Sequence, residues 1–100
     1  MKNPTKIIIA MGSNHDQHAH IDMARKYLCD AFRCVSFTNA IWTEPIGIAS
    51  DKYLNLLAVA DTFTDEATTK AKLKEIETLC GDTRQLRGHN IVNLDLDLLC

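Results

Sequence analysis

An α+β sandwich, with four antiparallel strands forming a sheet and two helices on one of its faces, is the fold class the sequence predicts, and three observations predict it. Four segments have the length and β-branched or alternating composition of strands: residues 6–11, 33–42, 53–62 and 91–99. Two segments between them, residues 16–31 and about 64–80, repeat apolar residues at helical spacing. Their order is βαββαβ, the split unit of a ferredoxin-like sandwich.

The first strand, "KIIIAM", is dense enough in β-branched residues to be a buried central strand, and Gly12-Ser13-Asn14 is expected to stop it. In the helix that follows, Ile21, Ala24, Leu28 and Ala31 fall on one face, with Asn14 or Asp16 available to cap the free N–H groups. "RCVSFTNAIW" alternates in polarity as a partly exposed strand does, and Pro45 and Gly47 then open a long connecting loop. "YLNLLAVADT" reads as the third strand. Thr64-Asp65 starts a second helix whose stripe is Leu73, Ile76 and Cys80, and Gly81 is placed to end it in a left-handed conformation. A polar loop, "GDTRQLRGHN", leads to the last strand.

A length of 100 residues suits one domain, spanning residues 1–100. A net charge of −2 without a dense basic block gives no case for nucleic-acid binding. The apolar runs are strand-sized, too short for a membrane span or a signal peptide, so the expected location is cytoplasmic. Cys29, Cys34, Cys80 and Cys100 form no CxxC pair and read as small buried hydrophobes or a free terminal thiol.

The chemistry concentrates at "NLDLDLLC". Side chains alternate along a strand, so Asp95 and Asp97 point one way while Leu94, Leu96 and Leu98 point the other. If Val92, Leu94, Leu96 and Leu98 pack under the helices, then Asn93, Asp95 and Asp97 lie on the open face. Same-face positions are roughly 6.5–7 Å apart, close enough for carboxylates to bracket two divalent ions ~3.5–4 Å apart. The alternative is an amphipathic strand with solvated acids. His15, His18 and His20 are read as solvated residues at a helix start, because no Cys or Glu completes a tetrahedral set. Lys70, Lys72 and Lys74 are read as a solvated helix surface.

"IIIAMGSN", "WTEPIG", "YLNLLAVADT", "IE" at Ile76-Glu77, Gly81 with Arg84, and "LDLDLL" occur in the order and near the spacing of one family. The chain resembles the 6-hydroxymethyl-7,8-dihydropterin pyrophosphokinases of folate biosynthesis over nearly all of residues 6–99. The resemblance implies transfer of diphosphate from ATP to the hydroxymethyl group of a reduced pterin, with two Mg2+ ions held by Asp95 and Asp97, and Arg84 in the catalytic set. It implies that Tyr53 stacks on the pterin, that Asn55 bonds its edge, and that Thr43, Pro45 and Ile46 shape the pocket. Glu77, Arg84 and Arg87 fall on the nucleotide side. As an isolated helix residue, Glu77 reads as solvated.

Two departures from the family's pattern stand out. Asn90-Ile91-Val92 replaces a Gly-Pro-Arg, and Asp82 stands where another arginine is usual, leaving Arg87 and His89 as the nearby substitutes. Members also continue past the last strand, a part that this chain is expected to lack. The alternative function is therefore a non-catalytic relative, a ligand-binding or homo-oligomerising module. In that reading Leu57, Val59, Ile91 and Leu99 are exposed on or near the open sheet face and cover one another in a homodimer.

Overall fold

The computed structural model describes residues 3–44 and 51–100. The elements are β1 (Thr5–Ser13), α1 (Gln17–Ala31), β2 (Arg33–Phe37), β3 (Ile41–Thr43), β4 (Tyr53–Thr62), α2 (Glu66–Leu79), α3 (Arg84–Gly88) and β5 (Asp95–Leu98). The antiparallel sheet runs β2-β4-β1-β5, with β3 also on β4. This is the ferredoxin-like arrangement: β4 lies between β2 and β1, and β1 lies between β4 and β5, so each helix crosses over a neighbouring strand.

Among the described residues the sheet has five strands rather than four, because the expected strand 33–42 is interrupted. Arg33 pairs with Asp61 and Ser36 with Val59, so β2 gains a residue on its partner at Cys34, which has φ 52°. A second residue is gained before Ile41 pairs with Asn55. The first bulge kinks β2 within its own length, and the second separates β2 from β3 along one edge strip, while both stay on β4. Around the break, Thr38 Oγ1 accepts from Leu57 N at 2.9 Å, and Thr38 N donates to Leu57 O at 2.9 Å.

Three other boundaries move. β1 continues through Gly12 and Ser13, which pair with Asn55 and Leu54. The polar loop contains α3, started by Thr83, whose hydroxyl accepts from Leu86 N at 3.2 Å. The last strand shortens to Asp95–Leu98, although its ladder to β1 continues through Leu99 N to Ile8 O. α2 begins as expected, with Asp65 accepting from Thr68 N, and Gly81 ends it at φ 80°. α1 differs. Asp16 occupies the cap position at φ 44° but makes no side-chain cap bond, and Asn14 is committed elsewhere.

Alternation sorts the sheet into two faces. Ile7, Ile9 and Met11 of β1, Leu54, Leu56, Ala58 and Ala60 of β4, and Leu96 of β5 are buried under the helices. Ile21, Ala24 and Leu28 of α1 and Leu73 and Ile76 of α2 meet them. Each large aliphatic side chain buried this way contributes ~1.5–3 kcal/mol. Of the cysteines, Cys80 joins the core, whereas Cys29, Cys34 and Cys100 are exposed and all four are free. Cys29 and Cys34 thus correct the expectation of burial: one lies on the outer side of α1 and the other on the bulge. No helix among the described residues is long and apolar enough to cross a membrane.

Candidate active site on the open sheet face

On the face away from the helices, the register brings the acids of β5 beside a glycine of β1 and the polar residues of β4. Gly12 pairs with Asp95 on one side and Asn55 on the other; Ala10 pairs with Asp97 and Leu57. Asp95 and Asp97 are both exposed and share this face, while Leu96 between them is buried. Asn93 breaks the expected alternation. It precedes β5 and is buried, donating from Nδ2 to Cys80 O at 3.2 Å.

Gly12 is the floor of the site. A Cβ there would lie 2.9 Å from Asn55 Oδ1 and 3.6 Å from Tyr53 Cδ1, so both side chains rest on the bare backbone. The Asn55 amide is fixed from its other end, where Nδ2 donates to Thr43 Oγ1 at 2.6 Å. Burial and the nearby Asp95 charge push the Tyr53 phenol above its ordinary value, so the ring carries a neutral hydroxyl at physiological pH. Thr43, Tyr53, Asn55, Asp95 and Asp97 therefore occupy one surface. Pro45 and Ile46 lie outside the described residues.

Behind β5 stands Glu77, only 5% exposed. Its Oε2 accepts from Leu96 N at 2.7 Å, tying α2 to the strand that carries both acids and satisfying a backbone donor of a sheet edge. The solvated reading of this residue is thereby corrected: α2 turns this face toward β5. Glu77 also lines a polar pocket of about 260 Å³ with Lys74, Thr78, Asp82, Thr83, Arg84 and Arg87. Arg84 is exposed at the start of α3.

Burial pushes the Glu77 carboxyl up, opposed by the Leu96 N–H and by the Lys74 and Arg87 charges. A raised folded-state value means that the native chain holds this proton more tightly than the unfolded chain does. The associated stability is full below the unfolded value, about 4.3, and is lost as pH rises through the folded one. Glu77→Gln keeps an oxygen for Leu96 N–H and removes this titration. Its stability relative to the parent should therefore improve as pH rises through the mildly acidic range. Urea unfolding of both chains across a pH series checks this, and parallel pH curves would refute it.

Arg87 joins the two sides. Its Nε donates to Asp82 Oδ2 at 2.6 Å, and its Nη2 lies 3.2 Å from Leu94 O, 3.5 Å from Asp95 Oδ1 and 3.8 Å from Glu77 Oε2. Asp82 is itself placed by accepting from Asn93 N at 3.1 Å. His89 ends α3, its N–H donating to Leu86 O.

Asn14 is the residue whose part in the site escaped the sequence. Its Oδ1 accepts from Val92 N at 2.6 Å, its Nδ2 donates to Asn90 O at 2.8 Å, and its own N–H donates to Val92 O at 2.9 Å. It thus ties the segment before β5 to the end of β1. The signal was "GSN", a strand end followed by an amide able to bridge two backbone groups at once. Asn14→Ala leaves Val92 N–H and Asn90 O, both part-buried, without this partner and should cost ~1–3 kcal/mol. Denaturant unfolding checks this, and a loss under 1 kcal/mol would refute the clamp.

Among the described residues no three His, Cys, Asp or Glu side chains group to hold a metal ion. His15 and His20 come near one another through His20 Nδ1 and His15 O, 2.6 Å apart, and His18 packs edge-on to Trp42. A zinc set is therefore not assembled among these residues. An exposed pair of carboxylates fits magnesium, which takes one or two such ligands and completes its octahedron with water and phosphate oxygens.

With its helices on one face of an antiparallel sheet, and an aromatic ring, a pinned amide and two acids exposed on the other, the chain is a ferredoxin-like α+β domain with an open sheet face. The family model for 7,8-dihydro-6-hydroxymethylpterin-pyrophosphokinase (HPPK) matches residues 8–100, and the chain belongs to that family. The match covers Gly12, Tyr53, Asn55, Glu77, Asp95 and Asp97. No curated protein matches the chain. The family is one of folate-pathway transferases that take ATP and a pterin.

Proposed function

We propose that this chain transfers diphosphate from ATP to 6-hydroxymethyl-7,8-dihydropterin in a magnesium-dependent reaction. The observation that supports it best is the shared face: Asp95 lies beside Gly12 and Asp97 beside Ala10 on one side of β1, and Asn55, Tyr53 and Thr43 lie on its other side. In this reading Tyr53 takes the pterin ring and Asn55, oriented by Thr43, bonds its polar edge. Pro45 and Ile46 complete the pocket. Asp95 and Asp97 would hold two magnesium ions, which would supply neutralisation of the phosphate charge when bound. Arg84, Arg87 and Glu77 serve the nucleotide side. The hydroxymethyl oxygen bonds to the β-phosphorus and gives its proton to solvent, while the bond from the β-phosphorus to the α,β-bridging oxygen breaks and that oxygen departs with AMP. Such a transfer needs mostly positioning and charge stabilisation, which this face supplies without a covalent intermediate. ATP is an intracellular co-substrate, so a cytoplasmic location goes with the proposal.

The test is turnover: ATP, magnesium and hydroxymethyldihydropterin should yield AMP. No AMP together with no magnesium-dependent nucleotide binding would reject the enzyme and leave the second reading, a homodimerising module. That reading draws on Leu57 and Leu99, 38% and 51% exposed, with Val59 on the same face. Sedimentation showing a monomer at high micromolar concentration would reject it in turn.

A further inference from the structure

Asp82 and Arg87 form a device that the resemblance does not provide. The Asp82 side chain is 6% exposed and spends both oxygens, one on Asn93 N and one on Arg87 Nε. Arg87 is therefore held by its Nε edge, with Nη2 turned to Leu94 O, Asp95 Oδ1 and Glu77 Oε2, and its side chain is still 37% exposed. An arginine fork held at one edge keeps its remaining donors in a fixed plane.

We propose that Asp82 is a positioning residue which aims Arg87 at Asp95, so that the acid pair takes up magnesium together with a polyphosphate rather than alone. The inference rests on the pyrophosphokinase reading and deepens it. A divalent ion approaching Asp95 by itself meets a guanidinium already on Oδ1, and like charges repel. A polyphosphate reverses the sign, because its oxygens accept from the free N–H groups of Arg87 while also binding the metal. Asp82 thus supplies, through Arg87, the fixed cation that Val92 and Asp82 themselves do not carry at the positions where the family has arginines.

The test is calorimetric titration of the full chain with Mg2+ alone, and with Mg2+ plus α,β-methylene-ATP, whose α–β linkage does not react. Arg87→Gln, which still offers Asp82 a donor, should bind Mg2+ alone about fivefold or more tighter and the Mg2+–analogue pair about tenfold or more weaker. Asp82→Asn should weaken the Mg2+–analogue pair to a similar degree in the parent chain and hardly at all in the Arg87→Gln background. A merely structural role predicts something else: both affinities falling together in Arg87→Gln, or Asp82→Asn costing the same factor in either background. Either result overturns the proposal. Should Asp82→Asn fail to fold, the opposed shifts in Arg87→Gln still decide it. A parent chain that binds no Mg2+–analogue overturns this inference and the pyrophosphokinase reading together; a parent that binds it while the variants match the parent overturns this inference alone.

Discussion

Asp95→Ala and Asp97→Ala should each lower AMP formation by about 10³-fold or more while leaving the fold intact. The two effects separate because of where the side chains sit. Both are exposed on the open face, and their neighbours Leu94 and Leu96 supply the packing, so truncation removes little from the core. Surface changes of this kind usually shift stability by no more than ~0.5 kcal/mol. The chemistry has no such redundancy, since no further His, Cys, Asp or Glu joins the pair among the described residues. Removing a group that stabilises developing charge in a transferring phosphoryl commonly costs 10²–10³ or more in rate. The two substitutions should also differ. Asp95 is in contact with Arg87, so its loss also takes a negative charge from beside that guanidinium, which Asp82 and Leu94 O still hold, whereas Asp97 pairs across to Ala10 and has no such neighbour. Steady-state AMP release, with thermal unfolding of the same preparations, checks both parts. Turnover within tenfold of the parent in either variant would show that the acids are an amphipathic strand's solvated side chains.

Much of this site was legible because strand parity is a strict rule. Once "LDLDLL" is a strand with one buried face, Asp95 and Asp97 must share the other, and the same rule puts Tyr53 and Asn55 together. The rule fails at Asn93 because the strand has not yet begun there. Bulges are as invisible to alternation: nothing in "RCVSFTNAIW" shows that Cys34 takes a positive φ and that a second residue is gained before Ile41. The burial of Glu77 is not legible either, because the helix pattern gives no sign that an edge-strand N–H waits opposite. Side-chain pairing across loops is the least legible of all. Asp82 looked like a cation lost, and only the three-dimensional loop shows it holding Arg87. Asn14 looked like a helix cap because Asn at a strand-to-helix junction usually is one, yet two backbone groups of residues 90–92 claim its amide instead.

Gly12→Ala should weaken pterin binding by about 10–100-fold while changing stability little. Gly12 lies on the central strand β1, in a backbone conformation where alanine is not itself strained, so any change in folding free energy should stay within ~1 kcal/mol and can be favourable. The added methyl, however, would lie 2.9 Å from Asn55 Oδ1, closer than a Cβ can stand. Asn55 is short and is held at its other end by the 2.6 Å bond to Thr43, so it cannot yield without breaking that bond and turning its amide away. A pterin edge that then meets no partner loses about 1–3 kcal/mol, the cost of an unpaired polar group in a desolvated site. Magnesium affinity should hold, because no atom of Asp95 lies within 4 Å of the new methyl. The decisive comparison uses Asn55→Ala, which should lose a similar amount of pterin affinity and make Gly12→Ala nearly silent when the two are combined. Fluorescence titration with the pterin on the four chains reads this out. Additive losses in the double variant would mean that the glycine acts through something other than Asn55, and an unchanged affinity in Gly12→Ala would remove Asn55 from the pterin site.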